Sequence, residues 1–105
     1  MSRVTWTPQA IADLESIRSY ISRDSHLYAA VVVEQIIRTV GRLEAFPESG
    51  RNVPERPDTG LRELLCGNYR IVYRTVGEWV EVLTVFHGAR VARIPWEVRE
   101  ARSVA

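Results

Sequence analysis

The sequence contains no lysine. All 14 of its basic side chains are arginines, set against 13 acidic ones for a formal charge of +1. Chemistry that needs a lysine as acid, base or Schiff-base amine is excluded. A guanidinium clamps phosphates and carboxylates but is a poor proton carrier. A net charge this small does not mark a nucleic-acid binder, although arginines gathered on one face would still make a local basic patch. Cysteine is nearly absent: Cys66 stands alone, which rules out an internal disulfide and a cysteine-cluster zinc site. His26 and His87 are the only histidines and lie too far apart in the chain to read as a metal pair. No metal and no cofactor is expected. Long apolar runs are missing as well. Nothing approaches the roughly 20 residues that cross a bilayer, and Met1-Ser2-Arg3-Val4 does not begin a signal peptide. The expectation is a cytoplasmic protein with no membrane partner.

What is present fits one globular domain over residues 1–105. The chain is 46% hydrophobic and 26% charged, a globular balance, and too short for a second core. Arg3 to Trp6 reads as a short strand. Thr7 then caps a helix, with Pro8 at its first position, where a missing N–H does no harm. Ile11, Leu14, Ile17 and Ile21 recur at helical spacing, leaving Ser16 and Ser19 on the wet side, flanked by Asp13 and Glu15. Asp24-Ser25 caps a second helix expected to run to about Phe46. Its apolar stripe reads Ala30, Val33, Ile37 and Val40, widened by Ile36 and Leu43. Glu34 and Arg38 stand four apart in the favourable order for an ion pair. Pro47 ends the helix, and the two helices make an antiparallel hairpin.

Residues 47–60 hold three prolines, two glycines and three acidic groups with no period, so they read as a surface loop. Three strands follow: Leu61–Cys66, Tyr69–Thr75 and Trp79–His87. Gly67-Asn68 and Val76-Gly77-Glu78 supply the turns. The fold class is α+β: a short strand, a helix hairpin, a three-stranded antiparallel meander, then a tail or short helix from Pro95. The helices cover one face of the sheet. Alternation puts Arg70 and Arg74 on the other.

The chemistry-bearing residues are few. His26 opens a helix and reads as solvated. His87 would need an orienting carboxylate and a nucleophile to act as a base; otherwise it is a strand-end histidine bonded to backbone. Cys66 reads as an inert, partly buried thiol. Ser49-Gly50 and Gly67-Asn68 are turns rather than phosphate cradles. Trp6 and Trp79 flank strands and should pack; Trp96 is harder to place in a core. Arg62, Arg70, Arg74 and Arg90 form the most informative group. A two-residue turn at Gly67-Asn68 pairs Arg62 with Tyr73, on the face opposite Arg70 and Arg74. Two readings stand side by side: an anion-recognition surface, and a solvated sheet face with snorkelling arginines.

The order of these elements, with the strings Leu61-Arg62-Glu63-Leu64, Gly67-Asn68-Tyr69-Arg70-Ile71-Val72-Tyr73-Arg74 and Val85-Phe86-His87-Gly88-Ala89-Arg90, resembles the RelE/ParE superfamily of toxins from bacterial toxin–antitoxin pairs. The likeness covers residues 3–94, and the opening Trp6-Thr7-Pro8-Gln9-Ala10 is similar to that family's first helix. The resemblance implies one of two activities. RelE-like toxins cleave messenger RNA in the ribosomal A site; ParE-like toxins inhibit DNA gyrase. RelE-type cleavage relies on strand lysines, arginines and a C-terminal tyrosine. Arg70 matches the arginine of the Gly-Tyr-Arg string, although Asn68 stands before Tyr69, and Arg90 matches the arginine after the last strand. The lysines have no counterpart; Arg62 and Leu64 lie near their place, and Trp96 lies near that of the tyrosine.

With at most half of the catalytic set present, the resemblance implies a ParE-like gyrase inhibitor without catalytic residues of its own. A cognate antitoxin would lay a segment over the groove beside the helix hairpin and sheet, with acidic groups meeting Arg62, Arg70 or Arg74. Arg90, Arg93, Trp96 and Arg99, in the tail, would meet the target. The alternatives are a RelE-like ribosome-dependent endoribonuclease acting on messenger RNA through Arg62, Arg70 and Arg90, and a non-toxic binding module.

Overall fold

The chain's first change of direction is made by one hydroxyl. In the computed structural model, which describes residues 2–88, Thr7 has an extended backbone and its Oγ1 accepts a hydrogen bond from the Ala10 N–H at 3.1 Å. That caps helix α1 (Pro8–Ser22), with proline in its first turn. The same hydroxyl donates to the Leu83 carbonyl at 3.0 Å, so the start of the helix is fixed to the sheet. Ser25 repeats the device for α2 (His26–Gly41), accepting from the Tyr28 N–H at 3.0 Å.

Both helices bury a stripe against the sheet, and α2 does so on a different line from the one expected. Ala29, Val32, Ile36 and Val40 are buried, whereas Ala30 and Ile37 are exposed and Val33 is half-buried. Over most of its length the seam is turned by one residue, roughly 100° around the axis. The run Ala29-Ala30-Val31-Val32-Val33 is apolar all round and fits either line. In α1, Ala10 is buried and Leu14, Ile17 and Ile21 pack against the same core, while Ile11 is exposed. The second helix also stops short of Phe46. After Gly41 it tightens into a 3-10 turn, Arg42–Glu44, that puts Leu43 in a cluster with Tyr73 and Val80.

Five strands form one sheet: β1 (Arg3–Trp6), β2 (Arg51–Asn52), β3 (Arg62–Cys66), β4 (Tyr69–Val76) and β5 (Trp79–His87), in the order β1-β5-β4-β3-β2. The expected meander is β3-β4-β5, antiparallel throughout. Two edge strands flank it. β1 runs parallel to β5, and β2 pairs with β3 from inside the segment expected to be a bare loop. Gly67 and Gly77 hold φ of 57° and 59° at the first central position of their hairpin turns, where a type II′ turn calls for glycine. The β4–β5 register slips beside Val72 and Tyr73, which face Thr84 and Val82 and leave Leu83 as the extra residue of a bulge.

The sheet is covered on both faces. The helices pack over Ile71, Val82 and Val85. On the other face Val53, Leu61, Val72 and Leu83 form a second cluster, with Phe86 against it. The face carrying Arg70 and Arg74 is therefore roofed in part by the proline-rich segment, because Val53 within it and Leu61 just after it have apolar partners there. Trp6 packs into the helix-side core. Trp79, expected to pack, is 46% exposed under the Arg3 guanidinium. Among the described residues no helix is long and apolar enough to cross a membrane.

Gly50 sits where that segment meets the sheet. Its N–H donates to the Tyr73 phenol oxygen at 2.9 Å. A Cβ at this position would lie 2.6 Å from that oxygen and 2.7 Å from the Glu63 carbonyl. Burial holds the Tyr73 phenol neutral by raising its ionisation. Gly50→Ala should therefore cost about 1–3 kcal/mol of stability through overpacking. Gly41→Ala, at a helical position with nothing within 4 Å, should gain roughly 0.5–1 kcal/mol. Urea titrations of the two variants check the pair; equal effects would contradict it.

Candidate interaction site

Arg70 is the most constrained of the arginines singled out by sequence. It is only 6% exposed. Its Nε and Nη2 both donate to Glu63 Oε1, and its Nη1 and Nη2 donate to the two oxygens of Glu55 at 2.9 and 2.7 Å. The guanidinium also lies 5.2 Å from the centre of the Phe86 ring. The other oxygen of Glu63 accepts from Arg51. Two arginines and two carboxylates thus form one continuous chain of ion pairs, Arg51–Glu63–Arg70–Glu55. The carboxylates raise the Arg70 pKa, with Glu55 the larger influence. Neither reading made from sequence, an open anion surface or a solvated face, describes this position: Arg70 is neutralised and covered.

The remaining arginines stay apart. Arg74 pairs with Glu81 on β5 at 2.8 Å. Arg62 faces Tyr73 in register, as the short turn requires, and its Nη1 donates to the Glu48 and Gly50 carbonyls. The structure does not bring Arg62 together with Arg70 and Arg74. Arg90, Arg93, Trp96 and Arg99 lie outside the described residues.

A groove of about 720 Å³ runs between α1 and the end of β5. Ile17, Tyr20, Val85 and Phe86 give it apolar walls, and Ser16, Arg23, Tyr69 and His87 give it polar ones. Its inner wall is set by Asp13, a residue that helical spacing placed among the solvated ones. Asp13 Oδ2 accepts from the Thr84 hydroxyl and, at 3.1 Å, from the Val85 N–H, while Oδ1 accepts from Gln9 at 2.8 Å. The carboxylate thereby ties α1 to β5 beside the bulge. His87 packs edge-on against Tyr69, with ring centres 5.6 Å apart, and His26 is exposed at the start of α2. Cys66 is half-buried and accepts a hydrogen bond from Thr39.

A family described as the ParE toxin of type II toxin–antitoxin systems matches residues 4–92. The chain belongs to this toxin family. Among its relatives are Y4kP of Sinorhizobium fredii, 40% identical over 87 residues that make up 81% of this chain and 86% of that protein, and Toxin RelE2 of Caulobacter vibrioides, 34% identical over 87% of this chain and all of that one. Solved structures agree. A chain of the chromosomal ParDE system from P. aeruginosa superposes with a TM-score of 0.68 at 26% identity, covering 83% of this chain and 96% of that one. A chain of the RelBE2 toxin–antitoxin complex from Mycobacterium tuberculosis gives 0.57 at 27%, covering 82% and 96%. The ParE-family toxin thus has relatives carrying both branch names.

Two outcomes follow for the toxin's site. Asp13→Ala leaves the Thr84 hydroxyl and Val85 N–H without their partner and should cost about 1–3 kcal/mol, read by thermal melting. The second concerns acid. Hydrogen bonding from Arg70 holds the Glu55 carboxyl below its ordinary value, against a smaller opposing effect of burial. A carboxyl whose pKa is lower folded than unfolded stabilises fully above the ordinary carboxylate range, and that stabilisation is lost as pH falls through the lowered value. Glu55→Gln should therefore lose less stability than the parent on acidification through that range. Parallel acid profiles would contradict it.

Proposed function

We propose that this toxin acts by binding DNA gyrase and stalling it after strand cleavage, and that a cognate antitoxin seated between α1 and β5 neutralises it. The observation that carries this reading is the neutralised state of Arg70. It is the described residue that matches the arginine of the family's ribonuclease site, and two carboxylates already occupy it. A nuclease arginine has to meet developing phosphate charge. Here that would require breaking an internal ion pair first. The strand lysines of that site have no counterpart either: there is no lysine in the chain, and Arg62 is engaged by backbone carbonyls.

A binding toxin needs a rigid frame and adhesive side chains rather than tuned acids and bases. Arginine and tryptophan most often anchor interfaces, and Arg90, Arg93, Trp96 and Arg99 are the target contacts in this reading. The antitoxin reading is supported by the two solved neighbours, a ParDE system and a RelBE2 toxin–antitoxin complex. An amphipathic segment suits a groove with both apolar and polar walls. Acidic antitoxin groups can reach Arg62 and Arg74, which are half-buried, without disturbing the cover over Arg70.

The relative named RelE2 keeps a second reading in view, ribosome-dependent cleavage of messenger RNA. Purified components separate the two. Excess toxin should block gyrase supercoiling and accumulate cleaved DNA, whereas unchanged supercoiling with no cleaved DNA would overturn the proposal. Primer extension on messages after induction should show no discrete A-site cuts; cuts that vanish in Arg70→Ala would establish the nuclease instead. Deleting the residues after Ile94 should abolish toxicity and spare antitoxin binding. Full toxicity in that deletion would move the target contact off the tail.

A further inference from the structure

The outward face of α2 carries an order of residues that the fold does not use. Leu27, Val31, Glu34, Arg38 and Gly41 are all exposed and recur at spacings of four, three, four and three. They share one narrow stripe, opposite the buried Ala29, Val32, Ile36 and Val40. This is the spacing of a coiled-coil seam. Two of its members are apolar and uncovered: Leu27 is 78% exposed and Val31 43%. Gly41 stands out in another way. Glycine weakens a helix, and the φ of −57° here suits any residue. Apart from its own turn of helix, nothing among the described residues lies within 4 Å of where its Cβ would stand. Neither the backbone nor the packing of this chain asks for glycine there. A helix approaching from outside would, because a missing side chain admits a close neighbour. The middle of the stripe is an ion pair, Arg38 Nη2 to Glu34 Oε1 at 2.7 Å. Both side chains are well exposed, and a pair of that kind adds little to the fold.

We propose that this stripe is the contact between two copies of the chain, whose α2 helices pack antiparallel about a two-fold axis. Such a contact requires a surface that matches itself after the rotation, and this one does. With the axis midway between Glu34 and Arg38, Glu34 of each copy faces Arg38 of the other. The two exposed ion pairs then close into a ring of alternating charges. Val31 of each copy faces Gly41 of the other, an apolar side chain set into the space that the glycine leaves. Leu27 lies over the end of the other copy's 3-10 turn. A parallel pair would instead set Glu34 against Glu34 and Arg38 against Arg38, which like charges disfavour. The charge order therefore selects both the partner and its direction. None of the residues lining the groove between α1 and β5 belongs to α2, so a paired toxin keeps both grooves open. The pairing stands whichever target the toxin has.

Sedimentation of the full chain over a concentration series, from about 1 μM to about 1 mM, tests it. The parent should pass from the mass of one chain to that of two as concentration rises. Arg38→Glu sets only acids face to face across the axis, and Glu34→Arg only bases. Each should weaken pairing about tenfold or more, with the helical circular dichroism unchanged because both positions are exposed. Mixed in equal amounts, the two variants should pair again, since each supplies the charge that the other lacks. Gly41→Gln fills the space facing Val31. It should weaken pairing while making the helix more stable, a split that a purely structural role for the glycine would not produce. It also serves as the disrupting variant if a charge reversal fails to fold. The proposal is overturned if the parent stays a single chain throughout the series. It is overturned equally if a folded charge reversal or Gly41→Gln pairs as the parent does, since another face then makes the contact, or if mixing the two reversals restores nothing.

Discussion

A guanidinium buried on a sheet has to be met by opposite charge where it sits, because removing one partner of a buried pair leaves an uncompensated ion. Arg70 imposes that condition here, and much of the far side of the molecule is arranged around it. Glu63 answers from β3 and is itself buried. Arg51 answers Glu63 and comes from β2, the two-residue strand at the sheet edge. Glu55 closes the chain from above and holds the proline-rich segment over Val72 and Leu83. Among the described residues no buried side-chain nitrogen or oxygen lacks a hydrogen bond. A polar network in a low-dielectric setting is favourable only when it is complete in this way.

The other half of the frame depends on short polar contacts between α1 and β5. Thr7 and Asp13 each bond into β5, at Leu83 and at Thr84 and Val85. These contacts fall on the bulged residue and the two after it, so the point where the strand departs from regular pairing is also where the helix is attached. The groove is the gap left beyond them, between the second half of α1 and the last residues of β5. A toxin that works by adhesion requires such a frame to keep its surfaces fixed, and the frame makes no demand for a perturbed proton donor.

Much of this was legible from residue order. The caps at Thr7 and Ser25, both glycine turns and the meander follow from local chemistry that tertiary contacts do not override. The strand register also fixes the partner of Arg70. With Leu65 opposite Arg70 and Glu63 opposite Val72, Glu63 is the diagonal neighbour of Arg70 on one face, and such pairs interact. Glu55 was not legible, since nothing in an aperiodic loop says which sheet face it will fold over. The α2 seam was ambiguous for a different reason: five apolar residues in a row carry no phase. Asp13 looked solvated because its partners, 71 and 72 residues away, lie on the last strand.

In the proposed reading Arg70 serves the fold and not the chemistry. Replacing the buried pair together, with Arg70→Met and Glu63→Leu, removes both charges and keeps apolar volume, an exchange that buried pairs often tolerate. Growth of cells expressing the double variant, with its folding checked by thermal melting, tests the claim most directly. A folded double variant that still arrests growth is the predicted result. A folded double variant that leaves growth untouched would contradict the account and return Arg70 to a catalytic role.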